Sequence, residues 1–244
     1  EKVKRQIRAK IAPNPLTFDY RVWMKYSLPI FVTDGIGFLL TNADVIIVGM
    51  YLPPDQVAIY FAAAKVIVLM QFIFFAVKAA AGPRFAALFG KGNTAALEKA
   101  AQQTARWSFW PSLTFGLMLL ALGPWLLVLF GQGFSGGYVL MVILFLGFLV
   151  KSAIGPAETL LNMAGKQVHC MILYAATFIS NITFNVILIP LYGLIGAAIA
   201  AALAMLVETI LLYIVTRISL GIRLTPLPVR ASSLAKSKDF HDGQ

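Results

Sequence analysis

Six long apolar runs dominate the sequence and restrict what the chain can fold into. They cover residues 24–50, 57–82, 107–130, 138–161, 169–189 and 194–216. About 20 apolar residues suffice for a helix to cross the hydrocarbon of a bilayer, and inside lipid the backbone must satisfy its own hydrogen bonds. Each run is therefore predicted to be a transmembrane helix, and the predicted fold class is an all-α polytopic membrane protein.

The composition excludes an ordinary soluble domain. Only 12% of the residues are charged and 59% are hydrophobic, whereas about 25% of the residues in a soluble domain are charged. The net charge of +10 would suggest nucleic acid as the partner of a soluble protein. Here the basic residues flank the apolar runs, so anionic lipid headgroups are the expected partner and nucleic acid is not.

Lysine and arginine residues lie on alternate connections between the runs. Seventeen of the 20 fall before or at the very start of the first run, after the second, after the fourth and after the last. The connections 51–56, 131–137 and 190–193 contain none. Because cytoplasmic loops carry the excess of basic residues, both ends of the chain are predicted to be cytoplasmic.

Three regions follow from this topology. Residues 1–23 are predicted to be a cytoplasmic basic segment, residues 24–217 a six-helix transmembrane lobe, and residues 218–244 a disordered cytoplasmic tail. In the connection 84–106, Asn93 is predicted to cap a separate interfacial helix.

Once these 17 basic residues are set aside, seven charged residues remain inside the apolar runs. They are Lys65, Lys78, Lys151, Asp34, Asp44, Glu158 and Glu208. A charge at the bilayer centre costs at least about 2.5 kcal/mol, so each needs a cavity, a partner or a route to the surface. Lys78 lies close enough to a run end to reach the headgroups, and interfacial placement alone would also explain Asp44 and Glu158.

The other four charges are the stronger candidates for a binding site. Asp34, Lys151 and Glu208 fall nearer the middle of their runs, and Lys65 lies about two turns from the outer surface. Together with two polar neighbours they form the set of candidate cavity residues: Lys65, Lys151, Asp34, Glu208, Gln71 and Asn42.

Polar side chains also follow single faces of three predicted helices. A spacing of seven residues, which repeats on one helix face, separates Asp34 from Thr41, Gln71 from Lys78, and Lys151 from Glu158, after which Asn162 continues the face. Such stripes favour a hydrated cavity. The alternative is hydrogen bonding between helices or internal ion pairs, such as Lys151 with Asp34.

Motifs for enzymatic chemistry are missing. The sequence has no Walker A loop, no dinucleotide fingerprint and no Cys/His metal spacing. Its single cysteine, Cys170, excludes an internal disulfide. We therefore expect neither a cofactor nor a metal, and no enzyme.

Five segments resemble a known transporter family in their order and spacing. They are residues 44–51, 58–65, 82–93, 161–166 and 181–200, and the clearest contains Asn181-Ile-Thr-Phe-Asn185. This set resembles the C-terminal half of the polysaccharide (O-antigen type) flippases, which share a superfamily with the multidrug and toxin extruders.

The resemblance implies one lobe of a two-lobed, MATE-like transporter in the bacterial inner membrane. The complete protein would flip undecaprenyl-diphosphate-linked oligosaccharide by alternating access, together with an N-terminal six-helix lobe. A polysaccharide polymerase or glycosyltransferases are possible further partners. Lys65 and Lys151 would hold the diphosphate, while Asp34 and Glu208 would neutralise lysines or bind a coupling ion.

Two other functions stay open. A cation-coupled multidrug exporter of the same superfamily would use Asp34 as its coupling carboxylate. A non-transporting membrane scaffold would tolerate mutation of the buried charges.

Overall fold

The computed structural model describes residues 20–131 and 133–225, and helices dominate this part of the chain. They are α1 (Tyr20–Tyr51), α2 (Pro54–Val68), α3 (Gln71–Gly90), α4 (Thr94–Val128), α5 (Gly137–Ala153), α6 (Ala157–Met163) and α7 (Gln167–Leu220), with a 3-10 turn at Phe134–Gly136. The predictions for residues 1–19 and 226–244 lie outside the described residues.

Five helical stretches of the described residues are long and apolar enough to cross a membrane. They are Trp23–Tyr51, Pro54–Gly90, Thr94–Val128, Phe134–Met163 and Gln167–Leu220. The prediction of an all-α polytopic membrane protein is therefore confirmed, while the count of six spans stays a prediction.

The difference in count comes from α7, which combines the fifth and sixth predicted runs. It has 54 residues, and Gly193 inside it has non-helical backbone angles (φ 58°, ψ −133°). A straight helix of this length would extend about 80 Å, far more than the ~30 Å of a hydrocarbon core. The Gly193 break falls in the predicted connection between the two runs.

Two further breaks divide runs that were predicted to be continuous. Leu69 and Met70 separate α2 from α3, and Ile154–Pro156 separate α5 from α6. At the second break Gly155 has a φ of +61°, and the ring of Pro156 removes a backbone donor. Lys151 and Glu158 consequently lie on different helices, and the prediction that they share one helix face is wrong.

The connection 84–106 also differs from its prediction. Asn93 does cap a helix, since its side-chain oxygen accepts a hydrogen bond from the Ala96 N–H at 2.9 Å. That helix is α4, which runs without interruption to Val128. No glycine or proline occurs between Thr94 and Trp110, so nothing ends the helix at the membrane surface, and the prediction of a separate interfacial helix is wrong.

Small residues let the helices of the interior approach closely. A Cβ on Gly147 of α5 would lie 2.8 Å from the Cα of Ala202 in α7. Around this contact, Tyr60, Met70 and Met141 belong to one buried apolar cluster. The close contact agrees with the small-residue run after Gly193, because small side chains allow tight helix packing in membranes.

The end of α7 is tied to the start of α4. Gly221 has a φ of +67° and caps α7, and the backbone N–H of Arg223 donates to Glu98 at 3.3 Å. Ile222 and Leu224 are each only 3% exposed. Residues 221–225, which were predicted to be disordered, therefore pack against the helix bundle.

We expect Gly155→Ala to destabilise the protein more than Gly165→Ala. Both glycines have a positive φ (+61° and +74°), which costs an alanine about 1–2 kcal/mol. A Cβ at Gly155 would also lie 2.8 Å from the Ala105 Cα, whereas nothing lies within 4 Å of a Cβ at Gly165. Overpacking adds about 1–3 kcal/mol. Unfolding of the purified variants in a denaturing-detergent titration measures both losses, and equal losses would contradict the tight contact.

Candidate functional site

One cavity of about 700 Å³ lies between α1, α2, α3, α5, α6 and α7. All seven charges inside the apolar runs line it: Asp34, Asp44, Lys65, Lys78, Lys151, Glu158 and Glu208. Asn42 and Gln71 line it as well, so the structure brings the six candidate cavity residues together. The volume falls within the roughly 300–1,000 Å³ of small-molecule sites.

The remainder of the wall is largely apolar. Phe38, Phe74, Phe75 and Phe148 contribute aromatic rings from α1, α3 and α5. A cavity of this kind can hold an amphipathic ligand, because the rings contact its apolar parts and the charged groups orient its polar ones.

Lys151 and Glu208 form an ion pair across the cavity wall. The Lys151 Nζ lies 2.8 Å from Glu208 Oε1 and donates a hydrogen bond to Oε2 at 3.0 Å. The lysine side chain is 26% exposed and that of the glutamate only 5%. Lys151 therefore pairs with Glu208 of α7 and not with Asp34, the partner suggested by the sequence.

Lys78 and Glu158 form a second ion pair, at 3.1 Å. Glu158 also accepts hydrogen bonds from the Tyr174 hydroxyl at 3.0 Å and from the Asn162 side chain at 3.3 Å. Lys78 therefore contacts a carboxylate of α6, which corrects the expected headgroup contact, and the side chain of Glu158 is buried. A salt bridge at a buried site needs such additional hydrogen bonds to offset desolvation.

Asp44 is buried among amide side chains. Its Oδ1 accepts hydrogen bonds from the Nδ2 atoms of Asn181 and Asn185, each at 2.9 Å. Asp44 is 8% exposed, and its carboxylate is therefore bonded inside the helix bundle. Asn181 and Asn185 are four residues apart and lie on one face of α7. Their pairing with Asp44 went unpredicted, although two asparagines at this spacing in an apolar run are a signal for a shared polar partner.

Lys65 and Asp34 stand apart from these pairs. The Lys65 Nζ donates to Asn42 Oδ1 at 3.5 Å and lies 5.1 Å from the centroid of the Phe61 ring. Asp34 is exposed to the cavity and has no hydrogen bond or ion pair among the described residues. These two residues are the ones most available to a ligand.

Tyr174 is a site residue that the sequence reasoning missed. It is 7% exposed, lines the cavity and joins the Glu158 pair through its hydroxyl. A buried tyrosine hydroxyl usually finds a partner, but an uncharged aromatic residue in an apolar run gives no stronger signal. Across residues 20–131 and 133–225, no three His, Cys, Asp or Glu side chains converge as a metal site would require.

Membrane-spanning helices around a cavity lined by charges define a multi-pass membrane protein with a candidate binding site. Residues 29–187, more than half of the chain, match the MatE family. The chain therefore belongs to the MatE family.

Three known proteins are similar to this chain. A probable low-salt glycan biosynthesis flippase of Haloferax volcanii is 27% identical over 198 residues, which are 78% of this chain and 40% of that protein. The outward-facing structure of a multidrug resistance MATE family transporter matches with a TM-score of 0.70 and 17% identity, over 85% of this chain and 47% of that one.

The third is a MOP superfamily transporter from Pyrococcus furiosus, described as having a binding pocket of reverse polarity. Its TM-score is 0.70 and its identity 18%, over 85% of this chain and 48% of that one. At these identities the two structures show the fold alone. The chain spans less than half the length of each of these three proteins.

We expect Asn181→Ala to destabilise the protein by about 1.5–3 kcal/mol, because it removes a hydrogen bond from the buried Asp44 carboxylate. Ser180→Ala is the matched control on the same helix, since its hydroxyl bonds only the Ala176 carbonyl within α7, and it should cost less than about 0.5 kcal/mol. Denaturing-detergent titration compares the two. Similar losses would show that Asn181 does not stabilise Asp44.

Proposed function

We propose that this chain is the C-terminal lobe of a flippase that moves lipid-linked oligosaccharide across the membrane by alternating access. The observation that carries the proposal is the set of three lysines, Lys65, Lys78 and Lys151, lining one cavity between membrane-spanning helices. Lys78 and Lys151 are paired with glutamates, but Lys65 has no carboxylate partner among the described residues, and such a cation is costly in a membrane. An anionic group that the cavity must accommodate gives a reason for that cost, and the similarity to a glycan flippase supports this choice.

Lys65 is the proposed first contact of a diphosphate group. It has no carboxylate partner among the described residues and faces the cavity from α2. Asn42 and Gln71 beside it supply amide groups for sugar hydroxyls. A lysine suits phosphate as a compact point charge. Undecaprenyl diphosphate is the proposed lipid carrier.

The proposed topology has six spans with both ends of this segment in the cytoplasm of a bacterium. The two parts of α7 on either side of Gly193 would be separate spans. A second six-helix lobe would complete the cavity, which agrees with a chain that covers 40–48% of its relatives. Anionic headgroups would bind the cytoplasmic basic residues, and a polymerase or glycosyltransferases of the same glycan are proposed partners.

A cation-coupled multidrug exporter is the second candidate. Asp34 and Asp44 are carboxylates without a lysine partner among the described residues, and an unpaired carboxylate can bind a cation. The fold is also that of a multidrug resistance MATE transporter. Against this candidate, Lys65 has no carboxylate partner among the described residues and would repel a cationic drug.

We expect Lys65→Gln in the complete protein to reduce glycan export by about tenfold or more, which corresponds to ~1.4 kcal/mol of lost interaction. The measurement is surface glycan in a strain that lacks its own flippase, with protein abundance in the membrane followed in parallel. Lys99→Gln is the matched control, because Lys99 is exposed on α4, which does not line the cavity.

The same strains separate the candidates. A flippase loses glycan export with Lys65→Gln and confers no drug resistance. A drug exporter confers resistance that Asp34→Asn abolishes. Normal glycan export by Lys65→Gln at normal abundance would refute the role given to Lys65.

A further inference from the structure

The two glutamates of the cavity ion pairs differ in the number of side chains that hold them. Glu158 accepts hydrogen bonds from Lys78 at 3.1 and 3.2 Å, from Asn162 and from Tyr174. Glu208 accepts one well-aligned hydrogen bond, from Lys151 at 3.0 Å. The charge of Glu158 is therefore shared among three side chains, whereas the charge of Glu208 acts on Lys151.

The Glu208 carboxylate is incompletely satisfied. Its Oε1 is buried and accepts no well-aligned hydrogen bond, although the Lys151 Nζ lies 2.8 Å away. Glu208 also lies beside the Tyr174 hydroxyl, whose hydrogen is donated to Glu158. A hydroxyl has one hydrogen to donate, so Glu208 depends on Lys151 for its neutralisation.

The two partners differ in their access to the cavity. The Lys151 side chain is 26% exposed and can present a free N–H to a ligand, while the Glu208 side chain is 5% exposed and sits behind it. An ammonium group has three donors. An anion in the cavity can therefore approach Lys151 from the open side and compete with Glu208 for it.

We infer that Lys151 and Glu208 form a self-blocked anion site, in which the Glu208 carboxylate holds the lysine that a phosphate group of the substrate would bind. The anion is taken to be a diphosphate because of the proposed function, and this is the only part of the inference that rests on it. When the cavity is empty, the pair avoids an isolated charge in the membrane. When a phosphate binds, it displaces the carboxylate, so Glu208 lowers the affinity of the cavity for anions.

Removal of the internal competitor should therefore tighten anion binding. Inorganic pyrophosphate is the probe, and its binding to the complete purified protein in nanodiscs of zwitterionic lipid is measured by equilibrium dialysis. We expect Glu208→Gln to tighten binding by about tenfold, which corresponds to ~1.4 kcal/mol. Lys151→Gln should weaken binding, while Lys65 still holds pyrophosphate measurably. Asp55→Asn removes one carboxylate outside the cavity and should leave the affinity unchanged.

A double variant tests whether the competition is local. In the Lys151→Gln background, Glu208→Gln should no longer tighten binding, because the lysine for which the carboxylate competes is absent. Tightening that persists there would reflect only the lower negative charge of the cavity and would overturn the inference. Unchanged affinity in the single Glu208→Gln variant, or no pyrophosphate binding in any variant, would overturn it as well.

Two further arms complete the test. If Glu208→Gln does not fold, Glu208→Asp replaces it in the binding measurement. Its shorter side chain weakens the ion pair with Lys151 and should tighten pyrophosphate binding, and unchanged affinity overturns the inference.

Nanodiscs that contain phosphatidylglycerol show whether a lipid headgroup is the natural phosphate, because the headgroup would then compete with pyrophosphate. Failure of glycan export alone would refute the flippase proposal and leave these binding results intact.

Discussion

The cost of placing charge inside a bilayer is the constraint on which the rest of this structure depends. Seven charged side chains lie within the apolar runs, and all of them face one cavity between the helices. Two lysines are neutralised by glutamates of other helices, and Asp44 is surrounded by amide donors. Each of these contacts joins helices that are distant in the sequence, so the groups that are most expensive to bury also help to fix the arrangement of the bundle.

Interruptions of the helices make this arrangement possible. A continuous helix through residues 137–163 would hold Lys151 and Glu158 on one face. The break at Gly155 and Pro156 removes that restriction, and the two side chains reach different partners, on α7 and α3. Irregular backbone at membrane depth is tolerated where protein covers it, and Ile154, Gly155 and Pro156 are all buried. The break at Gly155 and Pro156 thus positions two side chains of the site, Lys151 and Glu158.

Much of the fold could be predicted from the sequence, because length and hydropathy alone identify membrane-spanning helices. Depth along each run also selected four of the seven charges that line the cavity, including Lys65 and Asp34, but it set aside Lys78, Asp44 and Glu158. The pairing of those charges could not be predicted, since it depends on helix breaks and on the mutual rotation of helices. Lys78 illustrates this limit: its distance from the run end allowed a headgroup contact, whereas packing of α3 against α6 gives it Glu158.

The paired and unpaired charges of the cavity lie on different helices. The ion pairs connect α3 with α6 and α5 with α7. Lys65 and Asp34 lie on α2 and α1 and have no charged partner among the described residues. A ligand that binds Lys65 breaks no existing ion pair, whereas one that binds Lys151 must separate it from Glu208. Binding should therefore begin at Lys65 and extend to Lys151 only when the ligand carries enough negative charge to replace a carboxylate.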